Sequence, residues 1–105
     1  MDCAGVLACG FLTPATLPAQ GKWKREVRAP TRRTVVAVAV RGGEIFVIGG
    51  LTHRGVSRLV EVYHPRKRRW RTAAPLPEPV HHPGAGVAGK RLFVVGGFGR
   101  GSFWA

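Results

Sequence analysis

Acidic residues are scarce in this sequence. Five Asp and Glu stand against seventeen Lys and Arg, which gives a formal net charge of +12. Such a charge attracts nucleic acid, anionic membranes and acidic partners without specificity. Thirteen of the cations are arginines, scattered from Arg25 to Arg100, and this scatter is as typical of a general arginine bias as of a dedicated basic face. We predict no specific binding of nucleic acid, and a basic nucleic-acid binder is kept as an alternative.

Cysteine is also scarce. Cys3 and Cys9 are the only two, and both lie within the first ten residues. They cannot cross-link the rest of the chain internally. The sequence contains no CxxC pair and no Cys/His cluster with zinc spacing. We therefore predict no metal and no cofactor.

The longest uncharged stretch lies near the start, at residues 3–20. It resembles the end of an export signal, with a mediocre cleavage site at Ala19 and Gln20 but no basic n-region before it. We interpret residues 1–21 as an apolar leader and a candidate truncated signal peptide. In that case the protein is periplasmic or secreted, and otherwise it is cytoplasmic. Pro14 and Pro18 interrupt the stretch, so no transmembrane segment is predicted.

No catalytic constellation is visible. The acids Glu26, Glu44, Glu61 and Glu78 fall one to a segment with no pairing evident, and there is no nucleophile motif. Helical periodicity is missing too, so no glycine-rich phosphate loop opens a helix. We predict that the chain is not an enzyme by itself.

What the sequence does contain is a repeat. A shift of 47 residues aligns 22–50 with 69–97 and makes eight positions identical. A period near 50 residues is typical of a propeller or a solenoid. The identical pairs are Trp23 and Trp70, Pro30 and Pro77, Val40 and Val87, Gly42 and Gly89, Phe46 and Phe93, Val47 and Val94, Gly49 and Gly96, and Gly50 and Gly97.

Each unit has the pattern of β-strands. An apolar run at 34–40 and a second at 45–48 flank a two-glycine turn, which predicts an antiparallel hairpin with a type I′ turn. A third strand is predicted at 59–63 and a fourth at 69–72. Three prolines at 75, 77 and 79 then end the unit.

These residues together resemble the Kelch repeat, from 22 to about 103. The resemblance implies an all-β partial Kelch β-propeller, with one full four-stranded blade at about 31–74 and flanking strands of two neighbouring blades. The partial blade that follows spans about 78–105. The signature positions are Trp23, Gly49, Gly50, Tyr63, Trp70, Gly96 and Gly97. The leader and a histidine pair are most similar to those of bacterial exported Kelch proteins.

Packing is the first role we predict for the signature residues. The glycine pairs end strands where other backbone approaches closely, and Trp23 and Trp70 are assigned to the core between blades. His81 and His82 form a candidate ligand face, but adjacent residues on extended chain point to opposite sides, so we do not expect them to chelate one ion. The basic run at 65–71 is interpreted as a solvated hairpin.

The predicted function is a non-catalytic interaction or ligand-binding module, in a fragment of a larger propeller protein. The ligand class expected is a protein or a carbohydrate, and unpaired blade edges favour self-association. The alternative enzyme reading is a remnant of a carbohydrate-active or oxidase-type propeller, because the family includes such enzymes.

Overall fold

The computed structural model describes residues 21–99, so the leader, both cysteines and residues 100–105 lie outside the described part. Residues 21–99 form strands and turns, with no helix long and apolar enough to cross a membrane. The strands are β1 (Ala37–Arg41), β2 (Glu44–Ile48), β3 (Leu51–Thr52), β4 (Gly55–Val56), β5 (Val60–His64), β6 (Arg69–Thr72), β7 (Gly84–Ala88) and β8 (Arg91–Val95).

The main sheet has the order β1-β2-β5-β6 and is antiparallel throughout. Its first hairpin closes between Arg41 and Glu44 around Gly42 and Gly43, whose φ angles are 58° and 77°. Two consecutive positive φ angles are those of a type I′ turn. The all-β blade and its two-glycine hairpin are therefore confirmed. The first strand begins at Ala37 rather than Thr34.

A short second hairpin, β3–β4, was not predicted. It follows Gly50 and carries a two-residue ladder in which Leu51 pairs with Val56 and Thr52 with Gly55. Such short strands leave little periodicity for a sequence pattern to detect. Leu51 also bridges back to Thr34 through two hydrogen bonds, from Thr34 N to Leu51 O (3.0 Å) and from Leu51 N to Thr34 O (2.9 Å).

The second unit repeats this geometry 47 residues later. His81 and Phe98 bridge as Thr34 and Leu51 do, with both hydrogen bonds at 2.8 Å. The residue after each bridge has a left-handed backbone, with φ of 51° at Val35 and 56° at His82. β7 and β8 then form a two-stranded sheet like β1 and β2.

The core lies between the main sheet and the β7–β8 pair. One face of the main sheet supplies Ala37, Phe46, Ile48, Val60 and Val62, all buried. Partly buried side chains pack against them, namely Ala73, Leu76, Ala85, Leu92 and Val94. Blade-on-blade packing thus follows from the alternation of side chains along each strand.

Gly49 and Gly50 end β2 where neighbouring backbone leaves no room for a side chain. A Cβ on Gly49 would lie 2.5 Å from the carbonyl oxygen of Val80. Gly97 has a similar environment in the second unit, where a Cβ would lie 2.6 Å from Val80 Cγ2. The close approach comes from the link to the next blade, whose Val80 carbonyl accepts the Gly50 amide at 2.8 Å.

The assignment of Trp23 to the core is wrong for residues 21–99. Trp23 is 100% exposed to solvent. In the repeat it occupies the position of Trp70, whose indole ring packs against Tyr63 with ring centroids 5.0 Å apart. The described residues contain no tyrosine-bearing strand beside Trp23, so its ring has nothing to pack on. Trp23 thus occupies the same position in the repeat as Trp70 but does not make the same packing contact.

Candidate functional site

The blade has two unlike ends. The antiparallel order places the Gly42-Gly43 turn and the 65–68 turn at one end. The opposite end carries the β3–β4 hairpin and the links that lead into β1 and β7. We call this opposite end the link face. Both units contribute to it, because His82 N donates a hydrogen bond to Val35 O at 2.9 Å.

A buried arginine anchors the link face. The guanidinium of Arg33 donates to the carbonyls of Gly49 and Leu59, both at 2.8 Å. It also pairs with Glu61 at 3.0 Å, and the two side chains are 2% and 4% exposed. Thr31 donates its hydroxyl to the second carboxylate oxygen of Glu61 at 2.8 Å. These bonds hold the link before β1 against the ends of β2 and β5.

The acids form ion pairs and hydrogen bonds that the sequence did not reveal. Glu61 pairs with Arg33 as described, and Glu44 accepts two bonds from Arg71, at 2.9 Å and 3.3 Å. Glu26 accepts the Tyr63 hydroxyl at 2.8 Å. The sequence did not indicate these partners, because each lies far from its acid along the chain.

A groove opens on the link face between the 28–34 link and the β3–β4 hairpin. It has a volume of about 590 Å³ and adjoins a second depression of about 440 Å³. Arg32 and His53 line both depressions. The residues lining either one include Arg28, Arg33 and Arg54, three threonines at 31, 34 and 52, and no acid. We call these two depressions together the basic groove.

The exposed arginines of the basic groove have no counterion in the described chain. Arg28, Arg32 and Arg54 are exposed, and their guanidinium groups take part in no ion pair or hydrogen bond among residues 21–99. Arg33, in contrast, is neutralised inside the blade. Two of the threonine hydroxyls donate within the fold, that of Thr31 to Glu61 at 2.8 Å and that of Thr52 to Gly55 O at 3.3 Å. Positive charge without a partner is thus the main property of this groove.

His81 and His82 do come together, which corrects the expectation that they point apart. Their Nδ1 atoms lie 2.7 Å from each other, as in a hydrogen bond between imidazoles. The left-handed φ of 56° at His82 interrupts the extended chain, so the alternation of side chains does not apply. The ring of Phe98 stacks on His81 with centroids 5.6 Å apart. Residues 21–99 hold no group of three or more metal-ligating side chains.

The basic hairpin lies at the end opposite the link face. Residues 65–68 form the turn between β5 and β6 and are exposed. Trp70 turns its ring toward Tyr63 and donates Nε1–H to Val27 O at 3.0 Å. The ring therefore makes contacts within the fold, although Trp70 also lines a depression of about 310 Å³ beside the turn, together with Lys67 and Arg69.

The segment that precedes the link lies against β5 and β6, where Tyr63 donates to Glu26 and Trp70 donates to Val27 O. Burial, followed by the hydrogen bond to Glu26, raises the pKa of the Tyr63 hydroxyl. The same hydrogen bond is the main reason why the pKa of Glu26 is lowered. The Tyr63–Glu26 hydrogen bond stabilises the fold fully below the ordinary pKa of tyrosine. This stabilisation is lost as pH rises through the raised pKa of Tyr63. At the acidic end it is lost as pH falls through the lowered pKa of Glu26.

This contact gives a direct test, because Tyr63 is the only tyrosine in the sequence. We expect tyrosinate absorbance to appear at higher pH than for tyrosine in an unfolded peptide. Glu26→Gln should move the transition back toward the ordinary value, since the carboxylate charge is removed. Glu78→Gln, which removes a charge elsewhere, should leave it in place. An unshifted transition in the unmodified chain would contradict the described contact.

Comparison with known proteins identifies the repeat. Residues 32–77 match the Kelch motif family model. An F-box/kelch-repeat protein of Arabidopsis thaliana is 34% identical over 80 residues, covering 76% of this chain and 22% of that protein. Human Kelch-like protein 35 is 35% identical over 80 residues, covering 74% and 12%. Beta-scruin of Limulus polyphemus is 33% identical over 79 residues, covering 72% and 8%.

The chain spans less than a quarter of the length of these relatives. The motif match begins at Arg32, next to the buried Arg33, and ends in the proline-rich link, so it includes all four strands of the main sheet. The relatives extend the similarity over most of the chain. With four antiparallel strands, a double glycine after the second strand and a Tyr–Trp pair on the last two, the chain belongs to the Kelch repeat family.

Proposed function

We propose that this chain is a non-catalytic protein-interaction module whose link face contacts the partner. The observation that carries the proposal is the basic groove, where exposed arginines without counterions line one open surface. Loops and links on a rigid sheet commonly carry binding function. Arg33 makes this surface rigid, because it ties the 28–34 link to the ends of β2 and β5.

Photo-cross-linking tests which end of the blade contacts the protein partner. A benzophenone amino acid is placed at His53 in the groove or, as a control, at Lys67 on the exposed turn at the other end. We expect protein adducts from position 53 that unlabelled chain competes away and that nuclease treatment does not remove. Adducts from position 67 alone would contradict the proposal, as would adducts at 53 that disappear with nuclease.

We further propose that the blade belongs to a larger propeller. Its outward faces are apolar. Val38 and Val40 are 54% and 61% exposed on one side, and Phe93 and Val95 are 49% and 64% exposed on the other. In repeat folds each unit covers such a face of its neighbour, so these two faces are fitted to adjoining blades. Location in the periplasm or outside the cell stays a prediction that depends on the leader, residues 1–21.

A polypeptide of these 105 residues should self-associate, because apolar faces and unpaired strand edges favour contact between copies. We expect light scattering after size exclusion to give a mass above the 11.3 kDa of one chain. Phe93→Lys should shift the mass toward that of one chain, since it places charge on the outward face of β8. Ala74→Lys adds the same charge on an exposed link and should change nothing. A monomeric unmodified chain with a cooperative thermal transition would contradict the prediction.

A further inference from the structure

We propose that the basic groove binds a phosphorylated segment of a protein partner, with a phosphoserine or phosphothreonine seated among Arg28, Arg32 and Arg54. The inference rests on the proposed protein-binding function and adds the chemistry of the bound group. Its basis is the contrast between two kinds of arginine in one blade. Arg33 and Arg71 are paired with carboxylates, whereas the three arginines of the groove are not.

Both the shape and the charge of the basic groove suit a phosphate group. Arg32 lines both depressions, with Arg28 in the larger and Arg54 in the smaller, and His53 lies in both. Guanidinium forks offer pairs of N–H donors that match the oxygens of a phosphate group. No acidic side chain lines either depression, so nothing in the lining opposes an anion. The hydroxyls of Thr31 and Thr52 donate within the fold, so the cations provide most of the donors that face the groove.

Exposure favours phosphate over carboxylate. The three arginines are exposed to solvent, and an exposed pair between an arginine and a carboxylate contributes only about 0–1 kcal/mol. A phosphate group carries a charge of about −1.5 to −2 and three acceptor oxygens on one side chain, so it can engage two or three guanidinium groups at once. A groove of this kind therefore discriminates between a phosphorylated and an acidic segment.

Nucleic acid is the less suitable occupant. Single-stranded nucleic acid is bound through aromatic side chains on which bases stack, together with a basic groove. The lining of the two depressions contains no Phe, Tyr or Trp. Tyr63 and Trp70 pack on each other on β5 and β6, and neither lines this groove. A backbone phosphate alone gives binding without sequence preference, which high salt removes.

Fluorescence anisotropy with three degenerate peptide libraries tests the proposal at physiological salt. The libraries share random flanking positions and differ only at the centre, which is phosphothreonine, glutamate or threonine. We expect the phosphothreonine library to bind at least about tenfold more tightly than the glutamate library, which corresponds to about 1.4 kcal/mol. Inorganic phosphate should compete, and the threonine library should not bind measurably.

The matched variants separate the groove from general charge. Arg28→Ala, Arg32→Ala and Arg54→Ala together should weaken phosphopeptide binding by at least about tenfold. The control combines Arg66→Ala, Lys67→Ala and Arg69→Ala, which remove the same charge at the other end of the blade and should change binding less than about twofold. Near-ultraviolet circular dichroism of both variants establishes that their packing is unchanged.

The possible results distinguish the phosphate assignment from the proposed protein-binding function. Equal binding of the glutamate and phosphothreonine libraries would overturn the phosphate assignment, and equal losses in the two triple variants would show that only net charge matters. Single-stranded DNA or RNA that binds more tightly than the phosphopeptides would also overturn it. If protein adducts still form at position 53 while no phosphopeptide binds, the interaction module stands and the phosphate chemistry alone fails.

Discussion

Gly50→Ala should unfold the blade or come close to it, with a loss of about 2–5 kcal/mol in the free energy of unfolding. The backbone at Gly50 has a φ of 100°, which side chains with a Cβ rarely adopt. The new Cβ would also lie 2.5 Å from Thr34 O and 2.7 Å from Val36 Cγ1. Thr34 O accepts the Leu51 amide at 2.9 Å, so it cannot retreat without breaking the bridge that joins β3 to the link.

Gly43→Ala is the matched control for this prediction. Gly43 also has a positive φ, of 77°, but nothing lies within 4 Å of its Cβ position. Its substitution should cost about 1–2 kcal/mol, from the backbone conformation alone. Urea titration of both variants at one protein concentration gives the comparison. Equal shifts of the two midpoints would show that close approach at Gly50 contributes nothing.

Glu61→Gln should destabilise the blade by about 3–5 kcal/mol, because it leaves the Arg33 guanidinium buried without a counterion. The side chains of this pair are 2% and 4% exposed, so water cannot replace the lost charge. Thr31 also donates to the carboxylate, and the substitution weakens that bond. Arg33 also donates to backbone carbonyls at the ends of β2 and β5. We therefore expect the loss of structure to be concentrated at the link face.

The exposed pair between Glu44 and Arg71 provides the comparison. It has a similar distance, 2.9 Å, but the Arg71 side chain is 51% exposed. Glu44→Gln should therefore cost no more than about 1 kcal/mol. Thermal unfolding followed by circular dichroism measures both variants. If Glu61→Gln is as mild as Glu44→Gln, the buried pair contributes no more stability than the pair at the surface. Binding to the basic groove should fall in Glu61→Gln, since the 28–34 link loses its anchor.

The sequence by itself determined the local features of the blade. Alternation and β-branching indicate the strands, and the Gly42-Gly43 pair predicts the turn, because a type I′ turn needs two positive φ angles in succession. The double glycines recur at a fixed period and indicate the repeat, and the Tyr–Trp spacing in the complete unit resembles the Kelch pattern. These signals are local, or recur at a fixed period, and so they can be read along one chain.

Only the tertiary structure decided how the charged residues are used. Arg33 and Glu61 are 28 residues apart in the chain, and no pattern distinguishes Arg33 from its neighbour Arg32 before both are placed. One is buried in an ion pair, and the other is exposed in the groove. The β3–β4 hairpin that forms one wall of the groove is too short to leave a periodic signal.

The aromatic and histidine positions show the same division. Trp23 and Trp70 are equivalent in the repeat, yet one is fully exposed and the other packs on Tyr63, because burial depends on which strands are adjacent. His81 and His82 meet because one residue adopts a left-handed backbone that the rule of alternation does not anticipate. Strands and turns follow from local conformational preference, whereas the link face and its unpaired arginines follow from contacts between residues distant in the chain.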